Sequence, residues 1–227
     1  MSDGNDSRQE MHSGQYVEIL DSVPITRMSR LIPLMGLKRE DRIADFGCGT
    51  GAFALLVKDL VSRYVGVDFS DDAINFARDR IKKCNVGNAV FHCEDIVSFC
   101  DRNVGSFDVV VSNDFTEHIY DKEFLDIFSA AYRTLKPGGS LYIYTPNGDF
   151  FWEVMKKVGL ARQFPQHVSV RRDDEYLDLL MECGFNIRNI EVAYLPHFNI
   201  LRILDFLKCI PIIGRYFRAK LFIKCTK

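Results

Sequence analysis

Residues 42–51 read Arg-Ile-Ala-Asp-Phe-Gly-Cys-Gly-Thr-Gly, placing three glycines at alternate positions directly after a short apolar run. A strand that ends in glycines lets the backbone turn tightly and approach a ligand, and a helix that follows presents free N–H groups at its first turn. The turn therefore predicts a strand-to-helix junction that binds a nucleotide-like molecule. Taken alone it does not choose the molecule, because Gly47, Gly49 and Ala52 also satisfy the dinucleotide spacing G-x-G-x-x-A.

The rest of the chain continues the alternation that such a junction demands. Strands are predicted over 42–47, 63–69, 89–93, 107–112 and 140–144, and helices over 51–62, 71–83 and 121–135. Short apolar runs followed by helical periodicity imply parallel strands joined by crossover helices. A helix over 150–158, a helix over 173–183 and strands near 187–194 and 220–225 complete the pattern. The expected fold is α/β: a Rossmann-like doubly wound, mostly parallel seven-stranded sheet with helices on both faces. No Pro/Gly/Ser-rich linker or internal repeat divides the chain, so 16–227 reads as one domain. Its expected parts are N-terminal helices over 16–41, with Pro24 and Pro33 breaking 16–37 into short pieces, a cofactor-binding half over 42–147 and an acceptor-side half over 148–227. Residues 1–15 are polar, lack the apolar stretch of a secretory signal and read as a disordered tail.

A formal net charge of -2 gives no broad basic field, which disfavours nucleic acid as a partner. The seven cysteines are odd in number and never spaced Cys-x-x-Cys, a pattern suited to reduced thiols and a cytoplasmic location.

Three further positions carry ligand-ready groups. Asp68 closes the second strand, 23 residues after Asp45, where a carboxylate can accept both ribose hydroxyls. Glu94-Asp95-Ile96 ends the third strand and offers a carboxylate and a backbone N–H to an adenine edge. Leu135-Lys136-Pro137-Gly138-Gly139 reads as a helix stop and turn before the fifth strand.

In this order the motifs resemble those of the class I S-adenosylmethionine-dependent methyltransferases: D-x-G-x-G-x-G, an acid ending strand two, an E-D pair after strand three and L-K-P-G-G before strand five. The resemblance covers about 42–147. It implies a cofactor site of Asp45, Phe46, Gly47, Gly49, Gly51, Asp68, Phe69, Asp95, Ile96 and Asn113. Asp45, Gly47 and Gly49 would line the methionine end, Asp68 hold the ribose and Phe69 border the adenine. Asp95 and Ile96 would read the adenine edge, and Asn113 lie beneath the transferable methyl. Asp45 ahead of the glycines and the lack of a second substrate domain disfavour a dehydrogenase.

Residues 112–119, Ser-Asn-Asp-Phe-Thr-Glu-His-Ile, gather two carboxylates and an imidazole where strand four ends. If 114–118 form a helical turn, Asp114, Glu117 and His118 converge on one point, a mixed donor set that suits magnesium, manganese or zinc. The segment resembles E-x-x-E-H of the ubiquinone-pathway O-methyltransferases and the small-RNA 2'-O-methyltransferases, where it is associated with a divalent ion; here Asp114 replaces the first glutamate. By the same resemblance His167 is comparable to a further histidine ligand of the small-RNA enzymes. The expected metal set is Asp114, Glu117, His118 and His167; without a metal, His118 or His167 is the candidate catalytic base.

The aromatic and basic stretch 150–164, with Phe150, Phe151, Trp152, Lys156, Lys157, Arg162 and Phe164, suits a lid over an acceptor with an apolar body and an anionic group. Residues 198–218 mix apolar and basic side chains at helical spacing, which suits either a peripheral membrane segment or a segment buried against the domain or a dimer partner. The expected reaction is methyl transfer to a hydroxyl of a small-molecule or lipid-associated acceptor. The alternatives are N- or C-methylation, and a non-catalytic subunit that binds the cofactor.

Overall fold

A computed structural model describes residues 25–162, 166–197 and 200–227. The expected tail over 1–15, the first part of the 16–37 helices, Phe164 and Phe198 lie outside the described residues. The strands are β1 (Arg42–Phe46), β2 (Arg63–Asp68), β3 (Ala89–Cys93), β4 (Phe107–Asn113), β5 (Leu135–Pro146), β6 (Ile190–Leu195) and β7 (Lys220–Thr226). They form a seven-stranded sheet in the order β3-β2-β1-β4-β5-β7-β6. The β1–β2, β1–β4 and β2–β3 pairs are parallel, while β7 runs antiparallel to both β5 and β6. The Rossmann-like reading of the sequence agrees with this sheet. No described helix is long and apolar enough to cross a membrane.

The described residues form two compact units, 25–111 with 133–139 and 112–132 with 140–162, 166–197 and 200–227. In the first, Ile43, Ala44 and Phe46 of β1 and Val67 of β2 are fully buried, the mark of parallel strands covered on both faces. After the short helices α1 (Thr26–Ser29), α2 (Ile32–Met35) and α3 (Ala52–Val57), the helix α4 (Asp71–Lys83) matches its predicted bounds because both ends are chemically marked. Ser70 Oγ accepts from Ala73 N, Asp71 and Asp72 lie in the first turn, and Arg80, Lys82 and Lys83 lie in the last.

Three expectations in this unit need correction. The helix α3 is confined to Ala52–Val57 instead of running to 62, because Asn88 Nδ2 donates to the carbonyls of Lys58 and Val61. The six-residue helix α5 (Ile96–Asp101) was not predicted; its N-cap is Asp95, whose Oδ1 accepts from Ser98 N at 2.8 Å. The Leu135–Gly139 stretch is the start of β5, not a turn ahead of it. Gly139 makes this possible: a Cβ there would lie 2.9 Å from the Asp108 carbonyl oxygen.

The second unit carries α6 over Asp121–Thr134, of which its last two residues belong to the first unit, α7 (Phe151–Lys157), α8 (Asp173–Glu182) and the antiparallel strands. β6 begins at Ile190, because Asn186 Oδ1 caps a 3₁₀ turn over Ile187–Asn189 where strand was predicted. The 198–218 region contains two 3₁₀ segments, Ile200–Cys209 and Gly214–Phe217. Arg171, buried and over the rings of Phe124 and Tyr176, donates to the carbonyls of Thr116 and Ile119 and to Asp121, tying the loop after β4 to the start of α8.

Candidate active site

In the first unit β1 delivers Asp45 and Phe46 to a loop in which Gly47, Gly49 and Gly51 have φ of 69°, 50° and 69°. These left-handed conformations are open to glycine at little cost. Gly47 N and Cys48 N both donate to the Val67 carbonyl at the end of β2, at 2.9 and 3.3 Å. Gly49 N donates to Asp68 Oδ2 at 2.9 Å, while Asp68 Oδ1 accepts from Ser70 N at 3.0 Å. Asp68 thus braces the glycine loop from the neighbouring strand. Phe69 follows it half-buried, and the exposed Asp95 caps α5 just ahead of the buried Ile96. Glu94, its neighbour in the motif, is instead paired with Arg102 and His92.

Asp45 is almost fully buried, and its Oδ2 accepts from the Tyr64 hydroxyl. Its Oδ1 is buried with no hydrogen-bond partner among the described residues. Burial pushes the Asp45 carboxyl up to about 7, against the opposing hydrogen bond from Tyr64 and with added repulsion from Asp68. A buried carboxylate with one unmatched oxygen is a receptor for a cation or a donor, and the ammonium of S-adenosylmethionine is both. The residues of this unit therefore fit the cofactor. Tyr64 was missed from sequence, since its partnership with Asp45 depends on the β1–β2 register that sets Asp45 beside Gly66.

This carboxyl gives a pH prediction. Its folded-state value lies above the unfolded one, so Asp45 favours the folded state most at low pH and loses that contribution as pH rises from about 4 through 7, by about 4 kcal/mol in all. Asp45→Asn does not titrate. The denaturation midpoint of the variant is expected to gain on that of the wild type between about pH 4 and about pH 7, and a constant difference would refute the assignment.

In the second unit β4 ends at Asn113, whose side-chain oxygen and nitrogen are both buried without a hydrogen-bond partner among the described residues, as is Ser112 Oγ. The expected helical turn over 114–118 is not formed. Asp114 has φ 47°, its N–H donates to the Tyr144 carbonyl at 2.7 Å, and only Thr116–His118 make a 3₁₀ turn. Asp114 Oδ1 accepts from Lys220 Nζ at 2.7 Å, in a largely buried pair. Ligand atoms of Glu117, His118 and His167, by contrast, all lie within 4.8 Å of one another.

Local bonds hold these three side chains in place. Glu117 is 1% exposed, and its Oε2 accepts from Thr145 Oγ1 at 3.2 Å. The Glu117 carbonyl accepts from Val168 N and Ser169 N, fastening the segment that carries His167. Thr116 and Thr145 both meet the buried Tyr176 hydroxyl, at 2.6 and 3.3 Å. His118 Nδ1 lies 2.8 Å from the Gln166 carbonyl and donates to it, so in the neutral ring it is Nε2 that holds the lone pair. The His118 and His167 rings meet edge to face with centroids 5.2 Å apart. Burial lowers His167 to about 4, reinforced by His118, and it is neutral at physiological pH. Burial raises Glu117 to about 7, with Asp114 adding to the effect and Lys220 opposing it.

Of the aromatic stretch expected as a lid, Phe150 is buried and Trp152 exposed, while Lys156 is buried against Glu153 at 2.7 Å.

The profile of a family described as a methyltransferase domain matches residues 16–190. A ribosomal protein L11 methyltransferase of Thermotoga neapolitana is 38% identical over 95 residues, 41% of this chain and 34% of that protein. The mitochondrial ubiquinone biosynthesis O-methyltransferase of Homo sapiens is 32% identical over 120 residues, 51% of this chain and 30% of that protein. The aligned region thus spans about a third of each of these curated relatives. Among solved structures, an S-adenosylmethionine-dependent methyltransferase from Archaeoglobus fulgidus superposes with a TM-score of 0.67 at 18% identity, covering 93% of this chain and 94% of that one.

Proposed function

We propose, for a chain that belongs to the methyltransferase-domain family, that it transfers the methyl of S-adenosylmethionine to a hydroxyl of a small-molecule or lipid-associated acceptor. S-adenosylmethionine supplies a methyl group already activated on a sulfonium. The first unit supplies the donor side: Asp45 receives the methionine ammonium on its unmatched oxygen, Asp68 accepts from the ribose diol, and Asp95 with Ile96 faces the adenine. The groups of the acceptor reading belong to the second unit. The relatives' names point to different acceptors, a ribosomal protein and a ubiquinone precursor pathway, so the acceptor class rests on the residues of this chain.

The observation that carries the oxygen assignment is the Glu117–His118–His167 cluster. Attack by a hydroxyl needs its proton removed and its oxygen oriented, and positioning does most of the work in a displacement of this kind. Glu117, His118 and His167 offer one carboxylate and two imidazole nitrogens, which suits zinc, manganese or magnesium. His118 also donates its other ring N–H to a backbone carbonyl, as metal-bound histidines do. A divalent ion there would lower the pKa of the acceptor hydroxyl. Without an ion, His118 Nε2 is the base. Asp114, expected as a fourth ligand, is held by Lys220 and has a supporting place in this reading.

The test is S-adenosylhomocysteine production from cell-extract fractions. With the metal, EDTA is expected to lower turnover at least about tenfold and manganese or zinc to restore it. Full activity in EDTA that is lost in His118→Ala selects the base. Full activity in both conditions refutes the role of the cluster.

A further inference from the structure

Between β6 and β7 the chain exposes apolar side chains that neither packing nor backbone geometry explains. In the 3₁₀ segment Ile200–Cys209, three residues complete one turn, so side chains three apart stand in a line. One line carries Ile203, 67% exposed, Phe206, 70% exposed, and the exposed Cys209. The adjacent line carries Arg202, Asp205 and Lys208, the last two paired at 2.7 Å. The apolar line runs into a turn of Ile210, Pro211, Ile212 and Ile213, in which Ile212 is 91% exposed at φ 70°. A β-branched residue in left-handed backbone is strained, and here burial does not offset the strain.

The turn itself, with Lys208, Arg215, Tyr216 and Arg218, lines an open pocket of about 610 Å³. Arg215 lies over the Tyr216 ring at 4.8 Å and Arg218 over the Tyr194 ring at 4.2 Å. Neither guanidinium forms an ion pair with a described carboxylate. The segment is strongly basic in a chain whose formal net charge is -2. Protruding apolar side chains beside cations held by aromatic faces, over a pocket with room for a phosphate, match the two layers of an anionic bilayer.

We propose that residues 200–218 dock the protein on membranes containing anionic phospholipid, with Ile203, Phe206, Ile210 and Ile212 entering the acyl boundary and the Arg215–Arg218 pocket receiving a headgroup phosphate. The docking surface stands on these residues alone and does not depend on the transfer reaction. It supplies a route to lipid-associated acceptors.

The test is co-sedimentation of the full chain with vesicles of phosphatidylcholine, with and without phosphatidylserine. Binding is expected only with phosphatidylserine, weakened about fivefold by Arg215→Ala, one interfacial cation being removed, and at least about tenfold by Phe206→Ser with Ile212→Asn. Asparagine accepts left-handed backbone more readily than isoleucine, and retained S-adenosylhomocysteine binding shows that each variant is folded. Four outcomes overturn the proposal. They are no sedimentation by folded protein, equal binding to neutral vesicles, full displacement from vesicles by inorganic phosphate at constant ionic strength, and a concentration-dependent dimer abolished by the double substitution. The last two assign the surface to a free anion and to a second copy of the chain.

Discussion

Asp68→Ala is expected to weaken S-adenosylhomocysteine binding at least about 100-fold, the largest loss of affinity from any single side chain of the first unit. The carboxylate has two tasks that fail together. It holds the glycine loop by accepting from Gly49 N at 2.9 Å and orders the entry to α4 by accepting from Ser70 N at 3.0 Å. Hydrogen bonds to a charged acceptor contribute about 1.5–3 kcal/mol each. Loss of the acceptor for Gly49, with the ribose diol losing the same partner, gives about 3 kcal/mol, hence the hundredfold figure. Asp68→Asn keeps one oxygen acceptor and is expected to fall between the two. Titration calorimetry decides: affinity within about threefold of wild type in Asp68→Ala removes Asp68 from the site.

The same residue shows which parts of the chain were legible in its sequence. The place of Asp68 at the end of β2 was readable because the strand is marked by its apolar run, and an acid there lies at the edge where such sheets bind ligands. The helix Asp71–Lys83 and strand Ala89–Cys93 appear at their predicted bounds, since serine capping and end charges mark the helix locally and the short apolar run Ala89–Phe91 marks the strand. Local signals failed where a distant group sets the backbone. The turn over 114–118 is opened by a bond from Asp114 N to the carbonyl of Tyr144 and by a lysine 106 residues away in sequence. Helix α3 stops early because Asn88 captures the carbonyls of Lys58 and Val61 beyond it, and Leu135–Gly139 is strand because Gly139 lies against Asp108. Of the four residues expected to converge, Glu117, His118 and His167 come together, the Glu117 carbonyl holding Val168 and Ser169 beside His167. The tight spacing of Asp114 with Glu117 in sequence misled, because a left-handed residue at Asp114 breaks the helical geometry that the spacing assumed.

Glu117→Gln is expected to lower turnover about 100- to 1,000-fold while leaving S-adenosylhomocysteine affinity nearly unchanged and thermal stability unchanged or higher. The substitution preserves shape, and the amide oxygen still accepts from Thr145. The backbone carbonyl that holds Val168 and Ser169 is untouched. Only the charge is lost. A carboxylate 1% exposed, its carboxyl raised by burial and by Asp114, costs the folded state free energy, and a neutral isostere relieves that cost. A purely structural Glu117 would give the opposite coupling: stability and turnover would fall together, or neither would move. Opposite signs in the two measurements are therefore the signature of a charge kept for chemistry, either to hold a divalent ion with His118 and His167 or to draw the acceptor proton toward His118. Metal titration of the same variant separates the two, since manganese or zinc affinity drops with the charge only in the first case.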